Sequence, residues 1–259
     1  MFSSGVPSWG AAKRVANRFG TKHLTLLFAD TKIEHLDNYR FLEDAQKNVG
    51  GKLVKVSDGR SPWEVALEKK WIGHRPHCSF ELKIKPCRKY LKDNQNKFDP
   101  ATTAIYFGID WEEYSRMDAI KEKWQKYAAV VEAPLCWDEE GWLTSNQCKE
   151  WAKDEGLKIP ILYDQGFTHA NCGGFCFRAG QGHFRNLLKN NRELYLHHEK
   201  QELNWQQKTG NTNTILRRYK NNNLVPLTLQ EFRKQVESEP VQLVLLDEAL
   251  GGCGCFTTS

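Results

Sequence analysis

Leu24-Thr25-Leu26-Leu27-Phe28-Ala29 leaves few folds open to this chain, because it is an almost unbroken apolar run, too short for a helix and closed by Asp30-Thr31. Such a run reads as a strand buried on both faces, the habit of parallel sheets with helices above and below. Upstream, Ala11, Ala12, Val15, Ala16 and Phe19 recur at helical spacing, and Gly20 stands where a helix would stop. The loop Ser3-Ser4-Gly5-Val6-Pro7-Ser8 leads into this helix, which is expected to begin at Ser8.

Small residues let backbone approach an anion closely, and a helix N-terminus presents free N–H groups and the positive end of its dipole. Ser3, Ser4, Gly5 and Ser8 therefore form a candidate phosphate cradle. Asp30, at the carboxyl end of the strand, is expected to open into the same crevice, where open α/β sheets bind ligands. Nucleotide chemistry suits that arrangement; an ordinary turn and an ordinary strand exit are the plain alternative.

Further along, residues 32–49 carry Leu36, Tyr39, Phe41, Leu42 and Ala45 on a helical stripe that ends at Gly50-Gly51, and Lys52–Val56 alternates like a strand. Ser61 and Pro62 predict an N-cap and first turn, with Arg60 just ahead as a phosphate partner or a solvated turn arginine. A basic helix through Lys83, Lys85, Arg88 and Lys89 follows Cys78-Ser79. Ala104–Ile109 repeats the apolar run closed by an acid, here Asp110, and is expected at the sheet centre; Val130–Leu135 reads as one more short strand. A helix over Asn146–Glu155 comes next, and residues 183–238 read as a peripheral helical segment with polar interruptions.

The chain of 259 residues can bury a substantial core, and 37 Lys and Arg against 32 Asp and Glu fit polyanionic or nucleotide ligands without demanding them. No apolar leader core and no membrane-length run is present, so a cytoplasmic location with no membrane partner is expected. Eight cysteines in such a chain are expected to be reduced, as ligands, nucleophiles or small core residues.

Taken in order, Leu-Phe-Ala-Asp-Thr after the loop, Asp-Gly-Arg at 58–60, Cys-Ser-x-x-Leu-Lys at 78–83, Gly-Ile-Asp-x-x-Glu-x-x-Arg at 108–116 and Asn-Cys-Gly-Gly-Phe-Cys at 171–176 resemble the phosphoadenosine phosphosulfate (PAPS) reductase family. That family lies within the PP-loop, adenine nucleotide alpha hydrolase-like superfamily, and the resemblance covers roughly residues 3–185. It implies a Rossmann-like (HUP-type) parallel sheet with helices on both faces, and an adenine nucleotide, ATP or PAPS, with Mg²⁺. It also implies a division into a PP-loop domain over 1–143 and a helical, cysteine-rich region over 144–259. Ser3, Gly5 and Ser8 match the loop pattern, whereas Ser4 replaces a glycine and Pro7 an aspartate, which removes a Mg²⁺ contact while leaving backbone binding intact. Carried over, Ser3, Ser4, Gly5, Ser8, Asp30 and Arg60 would hold the nucleotide, and Lys83 and Arg116 would meet its phosphate or sulfate.

Cys172-x₃-Cys176 and Cys253-x-Cys255 both sit in glycine-rich turns, and four thiolates in two pairs make a ligand set for an iron-sulfur cluster or zinc. The spacing departs from the C-x₂-C knuckles usual for structural zinc, and some relatives carry a [4Fe-4S] cluster. Sulfonucleotide reductases use a cysteine near the C-terminus as nucleophile, a role open here to Cys253 or Cys255, although the family's local Glu-Cys-Gly signature is absent. Cys78 is an alternative ligand, and His169 and His183 flank the motif as ligands, acid-base groups or structural histidines. Adenylyl or sulfur transfer is the expected reaction, with a sulfur donor or a thioredoxin-like reductant as partner. The alternatives are a non-catalytic nucleotide-binding module with structural zinc, or an enzyme that thiolates nucleic acid.

Overall fold

Alternate residues of the apolar run enter two different cores. Leu26 and Phe28 pack on one side with Phe41, Leu42 and Cys148, and Leu27 and Ala29 pack on the other with Ile84, Phe107 and Trp124. That is the period-two signature of a strand covered on both faces. The structure is a computed structural model and describes residues 1–73, 77–220 and 222–238.

The chain opens with α1 (Val6–Phe19), β1 (Thr25–Asp30), α2 (Leu36–Val49) and β2 (Lys52–Ser57), and β1 pairs in parallel with β2. Helix α1 starts two residues earlier than Ser8: Gly5 is its N-cap and Pro7 lies in its first turn, where a missing N–H is harmless. Helix α3 (Pro62–Lys69) begins as expected, with a capping box in which Ser61 accepts from the Glu64 amide and Glu64 from the Ser61 amide. A π-helical turn (Phe80–Ile84) runs into α4 (Lys85–Asp93), and Lys83 and Cys87 are buried on this stretch.

Next come β3 (Ala104–Tyr106), a 3₁₀ segment (Trp111–Arg116), α5 (Met117–Trp124) and β4 (Val130–Glu132), with β3 parallel to β4. Both strands are shorter than the apolar runs that contain them. The run after β3 leaves the sheet at Phe107-Gly108, and Pro134 begins a 3₁₀ turn beyond β4. The two parallel pairs are bridged by the first residues: the Phe2 amide donates to the Leu27 carbonyl at 2.8 Å and the Met1 amino group to the Tyr106 carbonyl at 2.6 Å. Helices α1 and α2 cover one face of β1, and α4 and α5 contribute to the core on the other.

Helix α6 (Ser145–Asp154) packs its Cys148 and Ala152 against the α1 core, and α7 (Ile161–Asp164) follows. The remainder holds α8 (Gln181–Asn190), α9 (Arg192–Thr209), an antiparallel hairpin of β5 (Leu216–Lys220) and β6 (Asn223–Leu227), and α10 (Leu229–Ser238). The hairpin corrects the reading of residues 183–238 as a helical segment with polar interruptions. Asn222 takes a left-handed φ of 61° directly ahead of β6, a conformation suited to a tight turn. Nor is the segment peripheral, because Phe184, Tyr195, Trp205 and Phe232 share a core with Trp63, Ala66, Ile72 and Phe175. The protein is thus mixed α/β with small parallel sheets, and no helix among the described residues is long and apolar enough to cross a membrane.

Candidate functional site

A cleft of about 310 Å³ opens beyond the carboxyl ends of β1 and β3. Its walls come from the loop before α1 (Ser3, Gly5, Ser8), from Glu34 after β1, from Lys83 ahead of α4, and from Asp110, Glu112, Glu113 and Arg116 after β3. Tyr163, Thr168, His169 and Asn171 close the far side.

The loop is folded tightly on itself. Ser8 Oγ accepts from the Ser3 amide at 3.0 Å, lies 3.1 Å from Ser3 Oγ, and donates within reach of the Ser3 carbonyl at 2.7 Å and the Gly5 carbonyl at 2.8 Å. The Gly5 amide donates to Ser3 Oγ at 3.2 Å, and the Val6 amide to the Tyr163 hydroxyl at 3.2 Å. In the first turn of α1, then, the Val6 amide meets Tyr163, Pro7 has no N–H, and the Ser8 and Trp9 amides donate to the Gly5 carbonyl at 3.2 and 3.4 Å. Gly108 lets the segment after β3 lie directly against the start of α1, since a Cβ there would stand 2.5 Å from the Ser8 Cα.

Glu34, half-buried as a residue, is held by three donors at the cleft wall. Its carboxylate accepts from Thr31 Oγ1 at 3.0 Å, from the Cys172 amide at 2.7 Å and from Asn38 Nδ2 at 3.3 Å. Burial raises its pKa above the ordinary carboxyl value, and the Lys83 charge and these donors act against that rise. Arg116 pairs with Glu113 within the 3₁₀ segment, while its Nε is buried and takes no hydrogen bond among the described residues. Asp110 caps the same segment, accepting from the Glu113 amide at 3.1 Å.

His169 has both ring nitrogens buried beside the Asn171 backbone, and its ring stacks 5.6 Å from that of His183. Burial, with the charges of His183 and Lys83 adding to it, pushes its pKa down to about 3, so the imidazole is neutral at pH 7. His183 is fixed differently, with Nε2 at 2.9 Å from the Gly174 carbonyl.

Of the sequence candidates, Ser3, Gly5, Ser8, Lys83 and Arg116 line this cleft together. Ser4 is buried and lies outside its lining, with no hydrogen bond to its hydroxyl among the described residues. Asp30 is also outside the lining. Its carboxylate accepts from the Lys32 amide at 2.9 Å and the Tyr39 hydroxyl at 2.7 Å, which outweigh burial and hold its pKa down. Arg60 is engaged by Asp58, Glu68 and Glu81, a carboxylate cage away from the cleft.

Cys172 and Cys176 flank a turn in which Cys172, Gly173 and Gly174 all have left-handed φ, and the Arg178 amide donates to Cys176 Sγ at 3.4 Å. Among the described residues no three His, Cys, Asp or Glu side chains group closely enough to hold a metal ion. Cys253 and Cys255, the other half of the expected ligand set, lie outside the described residues. Cys78 packs against the same core as Cys176, whereas Cys87 lines the cleft with its thiol pushed up to about 12 by burial.

Glu34 and Tyr163 were not legible as site residues. Glu34 has one weak signal, an acid four residues past a buried strand; Tyr163 has none, because it arrives from the segment after α6. No family model matches the chain, and no curated protein matches it.

Proposed function

We propose that the protein binds an adenine nucleotide, ATP or a sulfonucleotide, in the cleft at the start of α1 and transfers its adenylyl or sulfur group, as enzymes of the PAPS reductase type do. The observation that carries this reading is convergence: the Ser3–Ser8 loop, Lys83 and Arg116, drawn from three separate segments, line one cleft beyond the ends of two parallel strands. A Rossmann-like sheet, ordered β2-β1-β3-β4 with residues 1–2 between the inner pair, belongs to the same proposal.

The phosphate chain lies against the α1 N-terminus, where amide dipoles stabilise anionic oxygens, and Lys83 and Arg116 meet the charge that develops during transfer. In adenylyl transfer an acceptor oxygen attacks the α-phosphorus and the bond to pyrophosphate breaks. In reduction a cysteine thiolate, Cys255 by analogy, attacks the nucleotide's sulfur, the S–O bond to phosphate breaks, and a thioredoxin-like dithiol then releases sulfite as it is oxidised. Burial keeps His169 neutral, so in either case it would serve as a hydrogen-bonding group at the cleft wall and not as the proton acceptor.

Cys172 and Cys176, with Cys253 and Cys255, would hold a [4Fe-4S] cluster or zinc. The amide-to-sulfur bond at Cys176 and the glycine turn suit thiolate ligands. A bound iron-sulfur cluster supplies electrons or positive field next to the sulfur chemistry. If Cys255 is the nucleophile it is not also a ligand.

Calorimetric titration with ATP and with PAPS, each with and without Mg²⁺, tests the reading. One of them is expected to bind, and Lys83→Met and Arg116→Met are each expected to weaken it by about tenfold or more. The absence of binding by either nucleotide at millimolar concentration would overturn it. Iron and sulfide analysis of anaerobically purified protein beside Cys172→Ala and Cys176→Ala variants tests the cluster separately.

A further inference from the structure

Most of the chain's positive excess is gathered in one stretch. Residues 203–230 carry Lys208, Arg217, Arg218 and Lys220 and no acid, whereas the formal net charge of the whole chain is only +5. Three of these cations stand on β5, and β5 and β6 form a two-stranded sheet of their own, so both outer edges lack a strand partner among the described residues. Arg217, Arg218 and Lys220 have no carboxylate partner among the described residues. Arginines elsewhere are matched by acids: Arg14 by Glu140, Arg60 by Asp58 and Arg233 by Glu199.

The ribbon has two unlike faces. Leu216 and Leu227 are register partners at its root and are buried in the core with Trp205 and Phe232. By the period of two, Arg217 and Tyr219 on β5 share the opposite face with Leu224 and Pro226 on β6, and all four are exposed. Tyr219 stands directly across from Leu224, 79 % and 46 % exposed, at the spacing of about 5 Å that a cross-strand pair takes. Lys220 is exposed one residue further, where it pairs with Asn223 at the tip.

The root is held firmly. The two oxygens of the buried Glu202 carboxylate accept the Ile215 amide at 2.9 Å and the Leu229 amide at 2.6 Å, one on each side of the ribbon. Gln181, the first residue of α8, donates to the Arg217 carbonyl at 2.7 Å. The exposed face is therefore presented on a fixed support, which lowers the ordering cost of binding to it.

The geometry points to a docking site for single-stranded nucleic acid on this outward face, with an unpaired base against Tyr219 and Leu224 and the flanking phosphates at Arg217 and Lys220. Other uses of an exposed basic hairpin fit its residues less well. Protection of a bare edge against aggregation calls for charges and leaves no reason for a tyrosine and a leucine side by side near the open tip. A membrane surface takes a broad apolar face, and this one offers a single aromatic and a single leucine beside its proline. An acidic peptide would match the cations and leave the flat apolar pair uncovered. A nucleic acid strand alternates anionic phosphates with planar bases, so it meets both kinds of side chain at once. The ribbon lies outside residues 3–185, where the family resemblance is carried, and the site does not depend on what the cleft binds.

Fluorescence anisotropy with labelled oligo(dT) and oligo(U) of about 16 nucleotides, across about 50–200 mM salt, tests the site. The full chain is expected to bind at least one of them at low salt. Its affinity is expected to fall with roughly the second power of salt concentration, as three cations on a single strand require. Tyr219→Ala is expected to weaken binding about tenfold and to leave that exponent unchanged. The double variant Arg217→Ala, Lys220→Ala is expected to lower the exponent by about 1.4. These side chains are exposed, so each variant should melt within about 2 °C of wild type, which separates a lost contact from a lost fold. Failure of both strands to bind at low salt, equal affinity for a duplex of the same length, or binding that both variants leave unchanged would overturn the proposal. Binding to phosphatidylserine vesicles without binding to either strand would assign the face to a membrane instead. A dimer in light scattering that Leu224→Ser dissolves, again without binding to either strand, would assign it to a second copy of the chain.

Discussion

Gly108→Ala isolates the contact on which the cleft is built. A Cβ at Gly108 would lie 2.5 Å from the Ser8 Cα, 2.7 Å from the Ser8 nitrogen and 2.9 Å from the Pro7 carbonyl carbon. Carbon atoms rest at about 3.5–4.0 Å, so the segment after β3 and the first turn of α1 must separate by about 1 Å. No side chain can rotate away, because all three atoms are backbone in the first turn of a helix. Gly108 is not among the residues with left-handed φ, so alanine adds no backbone strain and the effect is purely steric.

Overpacking of this kind costs about 1–3 kcal/mol, which for a chain of this size lowers Tm by about 2–10 °C. The functional effect is expected to exceed the stability effect. The shift moves the α1 amides and Ser8 away from Asp110 and Arg116, and a misplacement of about 1 Å can reduce turnover roughly a hundredfold. Differential scanning calorimetry with nucleotide titration on the same samples reads both. A variant whose Tm stays within about 1 °C of wild type and whose nucleotide affinity is unchanged would refute the claim that this approach shapes the cleft.

Gly5→Ala, although inside the loop, is expected to fold with nearly unchanged Tm, since its Cβ would meet Ser3 Oγ and the Tyr163 hydroxyl at 3.4 Å and Pro7 Cδ at 3.9 Å, all ordinary contacts; thermal melts check it. Arg233→Met strips a two-point partner, at 2.8 and 3.1 Å, from the buried Glu199 and is expected to cost about 3 kcal/mol by urea titration, with much of the loss recovered in a double variant that also carries Glu199→Leu. His198 accepts the Trp63 indole N–H at 3.0 Å and so must be neutral; burial takes its pKa from 6.5 to about 3, so the stability it contributes is present above 6.5 and is lost as pH falls toward 3. Glu202 slopes the other way, because burial outweighs the Ile215 and Leu229 amides and lifts its pKa from 4.5 to about 7, so its contribution is lost as pH rises through that window. Urea midpoints across pH should show His198→Gln and Glu202→Gln each flattening only its own window.

What the sequence made legible was local. The run Leu24–Ala29 has one reading by length and composition, and the Ser61-Pro62-Trp63-Glu64 cap and the glycines at 20 and 50 carry their own geometry, so α1, β1, α2, β2 and α3 could be read directly. What the sequence hid depended on distant partners. Arg60 looks like a phosphate ligand until Glu68 and Glu81, 8 and 21 residues away, are seen to enclose it. Asn221-Asn222-Asn223 looks like a polar interruption until β5 and β6 pair across it. Residues 183–238 have charges on their exposed faces at ordinary density, and only the packing of Tyr195, Trp205 and Phe232 on Trp63 and Phe175 reveals a core.

Charge in the cleft adds a last step. Glu34, Asp110, Glu112 and Glu113 face Lys83 and Arg116, four acids to two bases, and Arg116 is already paired with Glu113. A nucleotide polyphosphate entering such a cleft meets the α1 amides but also a net negative wall, so side-chain charge alone does not hold it. A divalent cation carried with the phosphates would reverse that balance, and the acids after β3 offer oxygen ligands for it. Nucleotide binding is therefore expected to be stronger with Mg²⁺ than with EDTA, and Glu112→Gln and Glu113→Gln are expected to narrow the difference by improving metal-free binding. Titrations in which EDTA leaves wild-type affinity unchanged, or in which both variants weaken metal-free binding, would show that the wall of carboxylates does not face the phosphates at all.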